Sequence, residues 1–394
     1  MESASVDDHA AYIRSIVSLP TTSERVPLAL ALCRVTVAVV HSPVDLPLFP
    51  NSQMDGFAVR SSDLATGGTS LPIVGEVAAR PGTPPPLEPG TTVRIMTGAV
   101  IPDGADAIVP VEDTTTVGDT VTIHRHRAVG EYVRERGSDV RTGEELLPAG
   151  LRLASRHLAV LAAAGLDSVD VRTRVRVAVI TTGAELVVPG APVELGQVYD
   201  SNAVALDAAV RASGGEVIFA AHNNNDDVSV LGAVMLDAAD RADIILTSGG
   251  ISMGDYEVVR DFLVTRDGRV GHIAMQPGGP QATGSIDGVP IIGFPGNPVS
   301  TQISFEVFVA PLLREAAGLP PARRSTRVLT SDVRSIAGKR QFLRGRTVEG
   351  GRVEMVAGPG SHLVASLAAS DVLIDVPEGT TELKAGDTVE TIEL

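Results

Sequence analysis

The sequence predicts a multidomain α/β protein with a wound α/β domain, a β-rich insert, a small discontinuous helical and linker domain, and a C-terminal β barrel. Three observations carry this reading. Apolar strand-like segments alternate with amphipathic helical ones from Arg174 onward. Short apolar runs cut by Gly and Pro fill residues 46–137. Helical patterns lie on both sides of that stretch, so one domain is interrupted by another. The 394 residues leave room for several cores, since a typical domain takes ~150 residues.

Taken in order, residues 6–40 read as a helix and linker. Ile13, Ile16 and Val17 form an i, i+3, i+4 stripe, and Leu28, Leu30 and Leu32 precede a Val-rich run. Together with residues 138–173, where a helix over roughly 155–164 stops at Gly165, they make the discontinuous domain, bounded at 6–45 and 138–173. The insert, 46–137, contains LPIVGEVAARPGTPPP, TTVRIMTGAVIPDGADAIVPVED and DTVTIHRH, which read as strands, with TPPPLEP at 83–89 as a stiff loop. The α/β domain, 174–320, has strand candidates RVAVITT, EVIFAAH, ADIILTSGG and VPIIGFPG. Its helix candidates are Ser201–Ser213, Val228–Ala242, Tyr256–Thr265 and Val299–Ala317. Thr181, Thr247 and Phe294 end strands and lead into glycine-containing turns, which should gather along one rim of the sheet, where such folds bind ligands. GLPPARRS at 318–325 marks a boundary, and the short alternating segments of 321–394 read as the barrel.

Composition narrows the function. Lys+Arg 32 against Asp+Glu 48 gives a net charge of −16, and 3% aromatics with no Trp leaves few stacking platforms, which argues against nucleic acid as a partner. The single cysteine, Cys33, permits neither an internal disulfide nor a Cys-cluster metal site, so a reducing compartment is expected. The N-terminus opens with acidic residues rather than a basic segment before an apolar stretch. No apolar run approaches the roughly 18 residues of a membrane span. The expected location is the cytoplasm, with no membrane partner.

The turn Thr247-Ser-Gly-Gly-Ile-Ser-Met-Gly-Asp255 lies between an apolar strand and a helix. Gly249, Gly250 and Gly254 let backbone amides approach an anion, Ser248 and Ser252 add hydroxyl donors, and the following helix N-terminus adds its dipole, so a phosphate or diphosphate fits. A tight turn with no ligand is the alternative. The same stretch matches G-x-S-x-G literally, which would make Ser252 a hydrolase nucleophile with Asp287 and His362 in the right chain order. Against that, Ser252 lies several residues past the strand end and no HGGG-type loop precedes it. Glu185 leaves a strand end at the same rim, as does Asn223-Asn-Asn-Asp-Asp227; with Asp255 and Glu257 these carboxylates would repel unless a hard cation such as Mg²⁺ sits among them. Glu185, Asp226 and Asp255 are the ligands this selects, although Asp226 or Asp227 can equally cap the next helix. Gly293-Phe-Pro-Gly-Asn-Pro-Val-Ser300 stiffens a strand-to-helix turn with Pro295 and Pro298 around Gly296 and Asn297, which suits a rigid ligand. In the insert, Asn51-Ser-Gln-Met-Asp-Gly-Phe-Ala-Val59 and Arg94-Ile-Met-Thr-Gly-Ala99 stand out, while His124 and His126 read as surface residues.

Taken together, N-S-Q-M-D-G-F-A, R-I-M-T-G-A with P-x-G-A-D-A-I-V-P, T-T-G-x-E-L, Y-D-S-N, S-G-G-I-S-M-G and G-F-P-G-N-P-V-S resemble, in order, the MoeA family of molybdopterin molybdenumtransferases, related to the E domain of gephyrin. The resemblance implies four domains and an elongated homodimer, with a site between the α/β domain of one subunit and the insert of the other. It implies a reaction that takes adenylylated molybdopterin and molybdate and gives molybdenum cofactor and AMP, with Mg²⁺. Further partners would be a molybdopterin adenylyltransferase and recipient molybdoenzymes. By motif, Asp55 and Thr97 would come from one subunit, and Glu185, Asp226, Glu257, Pro295 and Pro298 from the other; Ser248, Gly249, Gly250, Ser252, Gly254, Asp255, Gly296, Asn297 and Ser300 would bind substrate.

The sequence departs from the family at several points. A K-P-G-K-P or Q-P-G-K-P run is common there, whereas this chain reads Gln276-Pro-Gly-Gly279-Pro and loses a cation at Gly279, for which His272 is the nearest replacement. Ala184 stands where an acid is frequent, and Glu257 where Asp is frequent. Two other readings follow: a catalytically weak paralogue or scaffold, favoured by Gly279, and a molybdopterin adenylyltransferase, disfavoured by the insert and the C-terminal segment.

Overall fold

The structure, a computed structural model, describes residues 4–20, 22–66, 68–223, 227–252 and 257–394. The chain forms two compact units, one of Met1–Glu24 with Val171–Leu394 and the other of Arg25–Asp170.

The first unit is built on a six-stranded sheet. Its order is Glu216–Asn223, Arg176–Thr182, Ile244–Ser248, Val289–Phe294, Pro280–Ile286, Arg269–His272. The first four strands are parallel, Pro280–Ile286 runs antiparallel to them, and Arg269–His272 pairs antiparallel with Pro280–Ile286. Continuous apolar runs such as Val177–Ile180 and Ile244–Leu246 are buried on both faces, as parallel strands require. Helices Ser201–Ala212, Val228–Ala239, Val258–Val264 and Pro298–Phe308 cover the faces. The register makes the parallel strands end level, with Thr181 opposite Ser248, Ser248 opposite Phe294 and Thr182 opposite Asn223. The turns after them therefore share one rim.

Two sequence readings need correction here. The expected helix Val299–Ala317 is two helices, Pro298–Phe308 and Ala310–Ala317, because Pro311 has no N–H to continue the ladder. The strand Pro280–Ile286 was missing from the expectation. It pairs with Val289–Phe294 through Asp287-Gly288, both at positive φ (48° and 82°), the backbone a two-residue hairpin demands. Asp287 is thus a turn residue at the far end of the strand from the rim. The hydrolase arrangement with Ser252 falls.

After the α/β elements, Arg324–Val328, Arg340–Val348, Val372–Val376 and Thr388–Glu393 form a second sheet, with Arg352–Met355 added to Arg340–Val348. The sheet curls until Leu329 bridges Val353 around a core of Leu343, Val353, Ile374 and Val389. Met275–Gln276 joins it in parallel through Arg340 and Gln341.

In the other unit a six-stranded sheet runs Ala107–Pro110, Gly56–Val59, Thr92–Ile95, Thr69–Val77, Thr120–Ile123, Thr114–Val117 over a core that includes Phe57, Val109 and Ile123. Gly56 is obligatory, since a Cβ there would lie 2.0 Å from Val109 O. The helix Ser155–Ala163 ends before Gly165 at φ 79°, as expected. His124 and His126 are exposed. No helix among the described residues is long and apolar enough to cross a membrane.

The helical reading of 6–40 survives only in Val6–Ile16, capped by the Ser5 hydroxyl accepting from Asp8 N (3.0 Å). Beyond it, Ser23–Pro27 is extended and Leu28–Leu30 is a single 3₁₀ turn. Pro20 and Pro27 interrupt the helical run, and Leu30 and Leu32 are 66% and 53% exposed rather than a buried stripe. Within the helix, His9 packs edge-on to Phe308 at 4.9 Å and its Nε2 is buried without a partner. Burial pushes its pKa down to about 4, so the unfolded chain binds a proton that the folded one refuses. Stability should therefore be fully present above the ordinary histidine value of about 6.5 and fall as the pH drops from there towards 4. His9→Phe should flatten that decline in urea titrations run across this range.

Candidate functional site

The rim encloses a cavity of about 1030 Å³ in the first unit, at the upper end of ligand pockets, which span ~300–1,000 Å³. The turns after all three expected strand ends line it, contributing Gly183–Glu185, Ser248–Ser252 and Pro295–Pro298, with Ser300.

The sequence of the 248–252 turn is set by how closely it passes its neighbour. Gly249 and Gly250 have φ of 92° and 68°, and a Cβ on Gly249 would lie 2.4 Å from Thr182 O. On Gly250 it would lie 2.8 Å from Thr182 Oγ1. Only glycine fits both the conformation and the space. A Cβ at Gly296 would touch Gly249 Cα at 3.4 Å, so the second turn lies directly on the first. Asn202 ties them together: its Nδ2 donates to Ser248 Oγ and to Gly296 O, both at 2.8 Å. Thr301 Oγ1 donates to Pro295 O at 2.6 Å and lies 3.0 Å from Ser248 Oγ.

This network sorts the expected donors. The Ser248 hydroxyl is buried beneath the turn and engaged there, a structural part rather than the free donor the sequence suggested. Gly249 N donates to Phe294 O (3.1 Å), and Ser252 N donates to Glu257 Oε2 (2.7 Å). Arg260 Nη1 donates to Ser252 O (3.1 Å) from behind the turn. Among the described residues, the amides of Gly250, Ile251, Gly296 and Asn297 donate to no protein acceptor. Their carbonyl neighbours are pinned while these N–H groups remain available, which is how a backbone anion site is made.

Of the acidic residues, Glu185 accepts from Val198 N through its carbonyl (2.9 Å), but its carboxylate has no hydrogen-bond or ion-pair partner among the described residues and folds back over Gly183. Glu257 shares one oxygen with Ser252 N. Asp227 is committed as a cap, accepting from Ser229 N (2.8 Å) and Oγ (2.6 Å), which hold its carboxyl below the usual range. Asp226, Gly254 and Asp255 lie outside the described residues. Among those described, no group of three or more His, Cys, Asp or Glu could hold a metal. The acidic side chains on the described wall are nonetheless oxygen donors, and a carboxylate beside a backbone anion site suits a hard cation.

Three stretches of the wall were not foreseen as site residues. Tyr199–Asn202 belongs to the Y-D-S-N motif, whose local signal was the N-cap: Asp200 accepts from Ala203 N (3.0 Å) and from Thr181 Oγ1 (2.5 Å). Gln276–Gly278 and Pro280 form another part, and Pro359–His362 a third. His362 comes from far along the chain, and no spacing rule could have placed it here.

In the other unit, Asp55 and Thr97 are brought together as a pair. Thr97 N and Oγ1 donate to Asp55 Oδ1 at 2.7 and 2.8 Å. Backbone bonds Ser52 N to Ala99 O (3.0 Å) and Gly98 N to Ser52 O (2.8 Å) staple their loops. The Thr97 amide, then its hydroxyl, holds the exposed Asp55 carboxyl below the usual carboxylate range.

Two predictions follow from this geometry. Thr97→Val removes the hydroxyl donor and keeps the amide, so the Asp55 carboxyl should titrate higher, part of the way back to a free aspartate, in a ¹³C NMR titration. Gly249→Ala should lower the thermal midpoint through a left-handed alanine costing roughly 1–2 kcal/mol and a clash with Thr182 O that forces the turn off the rim.

Models of known families match nearly the whole chain: the MoeA N-terminal region (domain I and II) at residues 4–165, the probable molybdopterin binding domain at 178–315, and the MoeA C-terminal region (domain IV) at 326–394. The chain is 43% identical to molybdopterin molybdenumtransferase 2 of Mycobacterium tuberculosis, over 94% of each chain. It is 34% identical to the molybdopterin molybdenumtransferase of a Nostoc species, over 94% of this chain and 89% of that one. The crystal structure of a molybdopterin biosynthesis MoeA protein from Pyrococcus horikoshii matches at a TM-score of 0.79 and 32% identity, covering 99% of both chains. The motifs, the multidomain α/β fold and these matches agree, and the chain belongs to the MoeA family of molybdopterin molybdenumtransferases.

Proposed function

We propose that the chain inserts molybdenum from molybdate into adenylylated molybdopterin, releasing AMP and leaving molybdenum cofactor. The observation that carries the reading is the set of unpaired amides, Gly250, Ile251, Gly296 and Asn297, at the level ends of parallel strands. They suit the diphosphate that joins pterin and adenylate. Their carbonyl partners are locked by Asn202 and Thr301, so the site needs little reorganisation when the ligand enters.

The resident cofactor in this reading is Mg²⁺, held by Glu185 with Asp226 and Asp255. When bound, such a cation withdraws charge from the diphosphate and favours departure of AMP. Glu257 fixes the Ser252 amide and so shapes the turn, while Pro295 and Pro298 keep the facing turn stiff. The sulfur ligands of the metal belong to the substrate, so the protein contributes position and charge balance. The chain acts as a homodimer in which Asp55 and Thr97 of the partner subunit complete the site; Asp55 is kept ionised by Thr97. A reducing cytoplasm suits both a free dithiolene and a chain with one cysteine. An adenylyltransferase would supply the ligand and molybdoenzymes would receive the product.

Purified protein given adenylylated molybdopterin, Mg²⁺ and molybdate should release AMP only when molybdate is present, activate a cofactor-free molybdoenzyme, and lose both activities in EDTA. Consumption of ATP with free molybdopterin would instead indicate adenylyl transfer, and binding without turnover would indicate an inactive paralogue. Asp55→Ala and Glu185→Ala homodimers, each inactive, should regain part of the activity when mixed; no recovery despite demonstrated subunit exchange overturns the shared site.

A further inference from the structure

The charge on the cavity wall does not match the charge of the ligand. Among the described residues that line it, Glu185, Asp200 and Glu257 are acidic, and there is no Lys or Arg. Two arginines that bond to loops of the wall, Arg260 and Arg344, are engaged with them rather than lining the cavity. Arg260 is spent on Ser252 O and Asp261 (3.1 Å each). Arg344, 3% exposed, donates to Gly358 O, to Gly360 O (2.9 Å) and to Leu363 O (3.4 Å), behind the loop that forms the wall. The run at 276–281 presents amides: Gln276 pairs with Gln341, and Gln281 donates to Gly278 O and Ser304 Oγ at 2.8 Å. Packing does not exclude a side chain at Gly279, whose Cβ would make only ordinary contacts at 3.4–3.7 Å, one of them with the ring of His272. His272 itself does not line the cavity.

Among the described residues, one basic side chain remains on the wall. His362 is exposed, its ring pairs with nothing among the described residues, and the loop that carries it is fixed from both sides. Arg344 holds its carbonyls from behind, and Val299 N, at the start of the Pro298–Phe308 helix, donates to Ser361 O (3.3 Å). An imidazole so placed faces the same volume as the unpaired amides.

We propose that the His362 ring supplies the side-chain hydrogen-bond donor that binds a tetrahedral oxyanion in this cavity, whose described wall carries no Lys or Arg. The oxyanion is either the phosphate of the adenylylated ligand or molybdate, and the chemistry of recognition is the same for both. This inference rests on the function proposed above. The groups that share the volume with the ring are the carboxylates of Glu185, Asp200 and Glu257, with Arg344 behind it.

The test compares wild type, His362→Ala and His362→Lys. Binding of molybdate and of inorganic pyrophosphate is followed calorimetrically, alongside KM and kcat for AMP release. His362→Ala should weaken oxyanion affinity about tenfold, the scale of one charge-assisted hydrogen bond, with the loss concentrated in KM, and His362→Lys should restore it. A loss confined to molybdate assigns the metal-donating oxyanion, and a loss confined to pyrophosphate assigns the diphosphate. Equal affinities in wild type and His362→Ala overturn the proposal. Because binding is measured without turnover, a protein that binds oxyanions through His362 yet releases no AMP would refute the proposed function and leave this inference standing.

Discussion

The close approach of the Gly249-Gly250 backbone to Thr182 is the constraint on which the site depends. Four parallel strands end level, so the turn leaving Ile244–Ser248 has to cross the end of its neighbour within van der Waals distance. Glycine alone meets that distance and the positive φ together. Once the crossing is made, the next turn stacks on it at Gly296, and two sets of N–H groups are left facing one volume. An unpaired amide in a sealed interior costs ~1–3 kcal/mol. In an open cavity water can satisfy it until a ligand replaces the water, so the arrangement carries little penalty in the absence of ligand.

Charge is divided between main chain and side chains. The protein is strongly acidic overall, and the described cavity wall carries carboxylates without Lys or Arg. In the function proposed above, an anionic ligand would be met by amide dipoles, and the carboxylates would suit a resident hard cation. Not every acid on the wall has that role. Asp200 is buried, caps the Ser201–Ala212 helix and accepts from Thr181, with His222 Nδ1 3.7 Å away. Its charge is used to fix the level strand ends, whereas the Glu185 carboxylate is unpaired among the described residues.

Legibility in the sequence followed locality. RVAVITT gave the strand Arg176–Thr182 because a continuous apolar run of that length has few other solutions. The glycine turns were readable because their conformation leaves a residue-level mark. The Pro280–Ile286 strand was missed although Asp287-Gly288 between alternating residues is a hairpin signal, because Asp287 had been weighed for chemistry instead. The break at Val309 was also readable, in Pro311. Ser248 was assigned a donor's role that burial removes, and burial is a tertiary property. The Asp55–Thr97 bond and the Pro359–His362 wall join residues with no local relation, and only folding brings them together.

Recognition through the main chain also explains how the 276–281 segment can diverge. A cation that binds an anion is one side chain and can change at a single position, and at Gly279 neither φ nor packing demands glycine. The Gly249 and Gly250 positions have no such freedom, since any side chain there meets Thr182. Variation should therefore accumulate in the charges around the cavity and spare the turns that form it. The strength of anion binding is then free to be reset by whichever basic group faces the amides.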